Sequence, residues 1–151
     1  MSKIIGRRKY LPAEVRTLAE SGKAERIISG HPKIGKAWIG PWCHIDSVHG
    51  TVTIGDGTTL ADSVHIFTHT NEHLVVRGLP TKVPGVVGDV TIGKRVYIGS
   101  MVVIEPGVRI GDGAVVGAFS FVRRGTAIGP RERWWGIPGT NDAWNSGNMR
   151  R

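Results

Sequence analysis

Between residues 92 and 129 an aliphatic side chain returns at every sixth position: Ile92, Ile98, Ile104, Ile110, Val116, Val122 and Ile128. The residues that directly follow are Gly93, Gly99, Glu105, Gly111, Gly117, Arg123 and Gly129. Four residues after each of the first six aliphatics stand Val96, Val102, Val108, Ala114, Ser120 and Thr126, all small or β-branched. An amphipathic helix repeats its apolar positions at three and four residues, so a period of six excludes one. The spacing predicts short flat strands joined by sharp turns. The aliphatic residue points inward and the small one fills the corner. Glycine after the aliphatic is expected to relieve backbone strain beside the turn. Coils of this kind stack into an all-β solenoid around one continuous apolar column. An ordinary antiparallel β-domain keeps no such register.

Upstream the same pattern is looser. It starts at Ile34-Gly35 and continues through Ile39-Gly40 and Ile45-Asp46. An insertion at 48–52, containing His49-Gly50, breaks it, and Ile54-Gly55, Leu60-Ala61 and Ile66-Phe67 restore it. After Phe67 the hexads stop, and a stretch with Gly78, Pro80, Pro84 and Gly85 reads as one long protruding loop, about 69–87. Loops of that length in compact domains are usually functional or disordered, and two histidines, an Asn and a Glu at the root of this one point to function. Before the repeat, Pro12 suits a helix start, and Leu11, Val15, Leu18 and Ala19 share a helical face. The expected organisation is a helical cap over 1–33, a β-helix over 34–129, and a closing turn with a polar tail over 130–151. Cys43 stands four residues after Ile39, at the small inward position, and reads as a buried structural thiol.

Composition narrows the partners. Twenty basic residues against 12 acidic ones give a net charge of +8, which suits an anionic partner such as a phosphorylated cofactor or a nucleotide-linked substrate. Nucleic acid is disfavoured, because Arg7, Arg8, Lys9, Arg150 and Arg151 form no patch interleaved with aromatics. No apolar run approaches the length of a membrane span, no signal peptide is visible, and one cysteine precludes a disulfide framework within the chain, so a cytoplasmic protein is expected. All six histidines fall between His31 and His73, so the two halves carry different tasks.

Three segments carry a family resemblance: Ile39-Gly40-Pro41-Trp42-Cys43-His44-Ile45-Asp46, Ile66-Phe67-Thr68-His69-Thr70 and Val96-Tyr97-Ile98-Gly99. With the hexads and the closing Gly136-Ile137-Pro138-Gly139, they resemble the left-handed β-helix (hexapeptide-repeat) acyltransferases, and among them the maltose, galactoside and polysaccharide-sugar O-acetyltransferases. The resemblance spans about 34–139. It implies a left-handed parallel β-helix of triangular section that assembles as a homotrimer. Acetyl-CoA would lie in the groove between neighbouring prisms, the acceptor would enter from the other end, and the loop would fold over from an adjacent subunit. The family's histidine maps onto His69, with His73 as its competitor because some relatives align theirs at Asn71. The donor contacts map onto Tyr97, where the family often has Trp, and onto Ser100, Ala118, Arg123 and Arg124. Two positions depart from the family's closing turn: Gly139 replaces an Ala, and Asn141 stands where a basic residue is usual.

The residues suit that chemistry. A sugar hydroxyl is a poor nucleophile while protonated, and an imidazole titrates near enough to neutrality to take its proton and return it later. Direct attack needs no covalent enzyme intermediate, and no convincing nucleophile is present. Asp46, Asn71 and Glu72 are the candidate acceptor contacts. Asp46 or Glu72 would alternatively orient the imidazole, although a solvated surface carboxylate is the plainer reading of each. No metal is expected. The rival is a zinc enzyme of the γ-carbonic-anhydrase type, since His65, His69 and His73 stand four apart, but that family's Gly-His-x-x-x-x-His pattern is missing. A non-catalytic trimeric scaffold is a further alternative. The acceptor's identity, and whether its oxygen or nitrogen is acylated, is not legible.

Overall fold

The computed structural model describes residues 26–82 and 84–141. The helix expected before residue 26 and the tail beyond Asn141 lie outside the described residues. The chain winds as a parallel β-helix whose three sheets form the sides of a prism. The first face holds β1 (Ile27–Gly30), β4 (His44–Ser47), β7 (His65–Ile66), β12 (Val103–Ile104) and β15 (Phe121–Val122). The second holds β2 (Lys33–Ile34), β5 (Val52–Ile54), β10 (Val90–Ile92), β13 (Arg109–Ile110) and β16 (Ala127–Ile128). The third holds β3 (Trp38–Ile39), β6 (Thr59–Leu60), β11 (Tyr97–Ile98), β14 (Val115–Val116) and β17 (Arg133–Trp135), with β18 (Thr140–Asn141) antiparallel on β17. The solenoid is thus wider than 34–129: Ile27–Gly30 and Lys33, expected to belong to the cap, lie in strands, and β17 adds a rung after the last hexad.

Each hexad aliphatic sits directly over its counterpart in the next coil. On the first face the column runs Ile28, Ile45, Ile66, Ile104, Val122. On the second it runs Ile34, Ile54, Ile92, Ile110, Ile128. On the third it runs Ile39, Leu60, Ile98, Val116 and ends on Trp134. The seven aliphatics from Ile92 to Ile128 are all at most 3 % exposed. Of the corner residues, Val96, Val102, Val108, Ala114 and Ser120 are buried, and only Thr126, near the open end, is half-buried. Cys43 is buried as expected. Its thiol donates to the Ala61 carbonyl at 3.1 Å, and burial pushes its pKa up to about 11, which keeps it protonated and inert.

The corners correct the reading of the glycines. Left-handed backbone occurs three residues after the aliphatic, at Trp42, Gly57, Ser63, Arg95, Met101, Gly107, Gly113, Phe119, Gly125 and Arg131, with φ between 52° and 81°. Six of these ten are not glycine, so something else holds the conformation. Their N–H groups reach back one coil: Arg95 to the Asp56 carbonyl at 3.0 Å, Met101 to Asp62 at 3.0 Å, Phe119 to Ser100 at 2.9 Å and Arg131 to Asp112 at 2.9 Å. The ladder therefore runs on through the corners and offsets a local cost of about 1–2 kcal/mol at each L-residue. The glycines directly after the aliphatics are needed for a different reason, the close approach of the next coil. A Cβ on Gly99 would overlap the backbone of Ala118, and one on Gly111 the backbone of Pro130. On Gly129, near the end of the stack, it would meet only the Glu132 side chain.

This contrast is testable. Gly99→Ala should destabilise the fold by about 1–3 kcal/mol or more, because two packed backbones must part. Gly129→Ala should cost clearly less. Equal losses in denaturant melts of the two variants would refute the close-approach explanation.

Candidate active site

Both interruptions of the repeat fall at the corner between the first and second faces, on consecutive coils. The shorter, 48–51, joins β4 to β5 and is pinned by Ser47, whose hydroxyl donates to the Gly50 carbonyl (2.9 Å) and accepts the Val52 N–H (3.1 Å). The longer leaves the corner after Thr68, a residue with no exposed surface whose Oγ1 accepts the Gly50 N–H at 3.2 Å. It is not the irregular loop expected. Its root is an antiparallel pair, β8 (His69–Thr70) with β9 (Val86–Val87), and α1 (Glu72–Val76) follows β8. His69 is thus held between a buried threonine and a paired strand.

Stacking brings Asp46 of β4 against it. Asp46 is 5 % exposed, so it is not the solvated carboxylate that was the plainer reading. Its Oδ2 lies 2.8 Å from Nδ1 of His69. Its Oδ1 accepts the Val48 N–H at 3.0 Å and, more weakly, the Ser29 hydroxyl at 3.4 Å. The His69 Nδ1 is itself buried and has no aligned hydrogen bond, so Asp46 answers it by ion-pair proximity. The other ring nitrogen is left as the one with access to solvent, in a side chain 28 % exposed. His49, from the short insertion, packs edge-on against His69 with ring centroids 4.5 Å apart.

His69 and Asp46 line a cleft of about 480 Å³ whose walls include Phe67, Val103, Phe121 and His44. His44 stands over His65 in the sheet register and packs edge-on against Phe67 at 5.5 Å between centroids. Burial, helped by nearby His65 and opposed by Asp46, holds the His44 pKa below the ordinary histidine value. The fold favours its neutral ring. That contribution to stability is present above the unfolded histidine pKa and is lost as pH falls through the folded one. Glu105 connects this cleft to a second one of about 460 Å³, lined by Arg123, Arg124, Trp134 and Pro138. The Arg124 N–H donates to Glu105 at 2.9 Å, and its guanidinium meets Glu72 at 3.1 Å, an exposed pair of small energetic weight.

The other expected residues separate. His73 lies in α1 against the far limb of the loop, where a Cβ on Gly85 would overlap its ring, and it does not line the cleft. The Asn71 Oδ1 is taken by the Gly85 N–H at 2.9 Å, so Asn71 ties the two limbs together. Tyr97 is exposed on the third face, and Ser100 and Ala118 stack at the corner between the third and first faces. The donor residues expected to form one site therefore occupy two corners of a single chain, on either side of the first face. His65, His69 and His73 do not gather, and among the described residues no three His, Cys, Asp or Glu side chains form a metal-ligating group. Among the described residues no helix is long and apolar enough to cross a membrane. The aromatic wall, His44 and His49 went unread as site residues. Their only signal was placement on the outward register of the first face, or in the insertion beside it.

Comparison with known proteins agrees with this architecture. Residues 85–124 match the family of bacterial transferase hexapeptide repeats. Over 74 residues the chain is 43 % identical to galactoside O-acetyltransferase of Escherichia coli K12, covering 49 % of this chain and 36 % of that protein. Over 93 residues it is 38 % identical to the putative lipopolysaccharide biosynthesis O-acetyl transferase WbbJ of the same organism, covering 56 % of this chain and 46 % of that one. The chain thus spans less than half the length of these curated relatives. The structure of AntD, an N-acyltransferase from Bacillus cereus, solved as a mutant with dTDP and Coenzyme A, superposes with a TM-score of 0.69 at 23 % identity, over 78 % of this chain and 65 % of that one, a likeness of fold. The chain accordingly carries the hexapeptide-repeat β-helix of bacterial transferases, and in sequence it resembles their sugar O-acetyltransferases.

Proposed function

We propose that the protein is an acetyl-CoA-dependent acetyltransferase that acts on a hydroxyl or amine of a sugar or nucleotide-linked sugar, with His69 as general base. The observation that carries this reading is the buried Asp46 carboxylate 2.8 Å from Nδ1 of His69 at the mouth of a cleft. A carboxylate on Nδ1 favours the tautomer with the proton there and leaves the Nε2 lone pair for the acceptor. Nε2 takes the acceptor proton as its oxygen or nitrogen attacks the thioester carbon. When the tetrahedral intermediate collapses, the carbon–sulfur bond breaks, and the imidazolium returns the proton to the departing thiolate. Asp46 stabilises the imidazolium between these steps without accepting the proton itself. The resemblance puts the Ser100 backbone N–H at the thioester oxygen, where a fixed donor offsets developing negative charge.

The donor would be held across two copies of the chain. Arg123 and Arg124 border the cleft adjoining His69, and guanidinium groups bind phosphates by charge-assisted hydrogen bonds. Ser100 and Ala118 stand at the other corner of the same face, so a neighbour's corner set against the His69 corner completes the groove. A closed cyclic trimer repeats that contact three times. AntD, described as an N-acyltransferase in complex with Coenzyme A, shares the fold and is consistent with such a donor.

Removing a positioned base typically costs about 10²–10⁴ in rate. His69→Ala should lower kcat by that order with little change in donor affinity. Wild-type turnover should rise with pH as the base loses its proton, and the variant should lose that dependence. His73→Ala should stay close to wild type. An active His69→Ala beside a dead His73→Ala would overturn the assignment.

The shared groove predicts complementation. His69→Ala and Ala118→Trp should each be inactive alone, yet randomly mixed trimers should regain about a quarter of wild-type activity, because one site in four pairs an intact His69 with an intact Ala118. Mixed trimers as inactive as their parents, or a stable monomer by light scattering, would refute the composite site.

A further inference from the structure

The insertion at 48–51 is built more firmly than a connection between two strands requires. The Val48 N–H donates to Oδ1 of Asp46 at 3.0 Å, and the Ser47 hydroxyl closes the turn by bonding both Gly50 and Val52. The Gly50 N–H donates to Oγ1 of Thr68 at 3.2 Å and the Thr51 N–H to Oδ1 of Asp89 at 2.8 Å, while the Thr51 carbonyl accepts the Val90 N–H at 2.9 Å. Gly50 also touches both ends of the long loop. An added Cβ there would lie 3.0 Å from the Thr68 Cβ and 3.0 Å from the Gly88 carbonyl oxygen. Val48 and His49 project from this fixed turn, and both are exposed. His49 meets His69 edge-on, with ring centroids 4.5 Å apart and planes 73° to each other.

That contact answers a gap in the site. Asp46 approaches Nδ1 of His69 to 2.8 Å, yet Nδ1 makes no aligned hydrogen bond. Proximity of this kind keeps the charges together but leaves the ring plane loose, because the last torsion of a histidine is broad. A general base has to be held within about 10–20° of its working orientation. Edge-to-face packing is a favoured geometry for a ring pair and restricts that torsion. We propose that His49 is a positioning residue for His69: its ring, carried on the hydrogen-bonded insertion, holds the imidazole so that Nδ1 stays on Asp46 and Nε2 faces the acceptor. Adjacent residues then set both partners, the Val48 backbone fixing the carboxylate and the His49 ring fixing the imidazole. No proton passes through His49. The proposal rests on the reading of His69 as general base and gives the insertion a task in that site.

Steady-state kinetics and NMR test it together. His49→Ala should lower kcat about 10- to 100-fold, the cost of a misplaced catalytic group, with little change in either KM. His49→Phe, which keeps an edge-on ring and cannot carry a proton, should recover most of that loss, whereas His49→Gln, polar without a ring, should not. In a His69→Ala background His49→Ala should cost nothing further, because it acts through His69. Melting temperatures should stay close to wild type, since His49 is exposed. NMR of protein labelled with 15N-histidine reads the contact without turnover. The His69 ring should show one tautomer, protonated at Nδ1, in wild type and His49→Phe, and averaged nitrogen shifts in His49→Ala. Wild-type kcat in His49→Ala, no rescue by His49→Phe, or a His69 spectrum unchanged in His49→Ala would each overturn the proposal. A wild type inactive on every acceptor would sink the acetyl-transfer reading, and the NMR comparison alone would then uphold or overturn the positioning of His69.

Discussion

Register between coils is the constraint on which the rest of the structure depends. Every residue of a rung sits on the residue one coil below, and the backbone ladder runs through corners as well as strands, as the bonds from Arg95, Met101, Phe119 and Arg131 show. That continuity lets non-glycine residues adopt left-handed backbone at six corners. It also forces glycine where consecutive backbones touch, as at Gly99 and Gly111. The apolar column is a consequence, since an inward residue every sixth position leaves no gap between rungs.

Such a scaffold is rigid and monotonous, and the candidate site arises where it is interrupted. The insertions at 48–51 and 69–89 leave the same corner on consecutive coils. Their stacking presses Asp46, His49 and His69 together although 23 residues separate the first from the last. Thr68 and Ser47 anchor the departing chain by hydrogen bonds to the short insertion. The imidazole is therefore set by the solenoid rather than by the loop's own packing, which is the kind of support a general base needs. The loop contributes a paired strand root and the Asn71–Gly85 tie, and it keeps His73 to itself.

Charge is mixed along the edges. At the corner between the first and second faces, Arg123 and Arg124 follow one another on a single coil beside the candidate cleft, where the Arg124 N–H meets Glu105 and its guanidinium meets Glu72. At the corner between the second and third faces, Arg95 and Arg131 border one concavity together with Asp112.

The solenoid was legible in the sequence because its period is local: Ile92 to Ile128 at strict sixes dictate inward residues whatever surrounds them, and Cys43 could be placed inside from its offset alone. His69 was legible because the repeat visibly ends beside it. Other features depended on which coil lies over which. Asp46 looked like a surface carboxylate because nothing in its neighbourhood of the chain says that His69 will stack against it. His44, Phe67 and Phe121 converge on one cleft, and His49 packs against His69, only because the register aligns rungs 18 residues or more apart. The role of Gly99 was misread for the same reason, since the obstacle is Ala118 on the next coil and not the conformation of Gly99 itself. Composition and period decided the fold through contacts within a hexad. Tertiary stacking decided the site, because its members meet across coils.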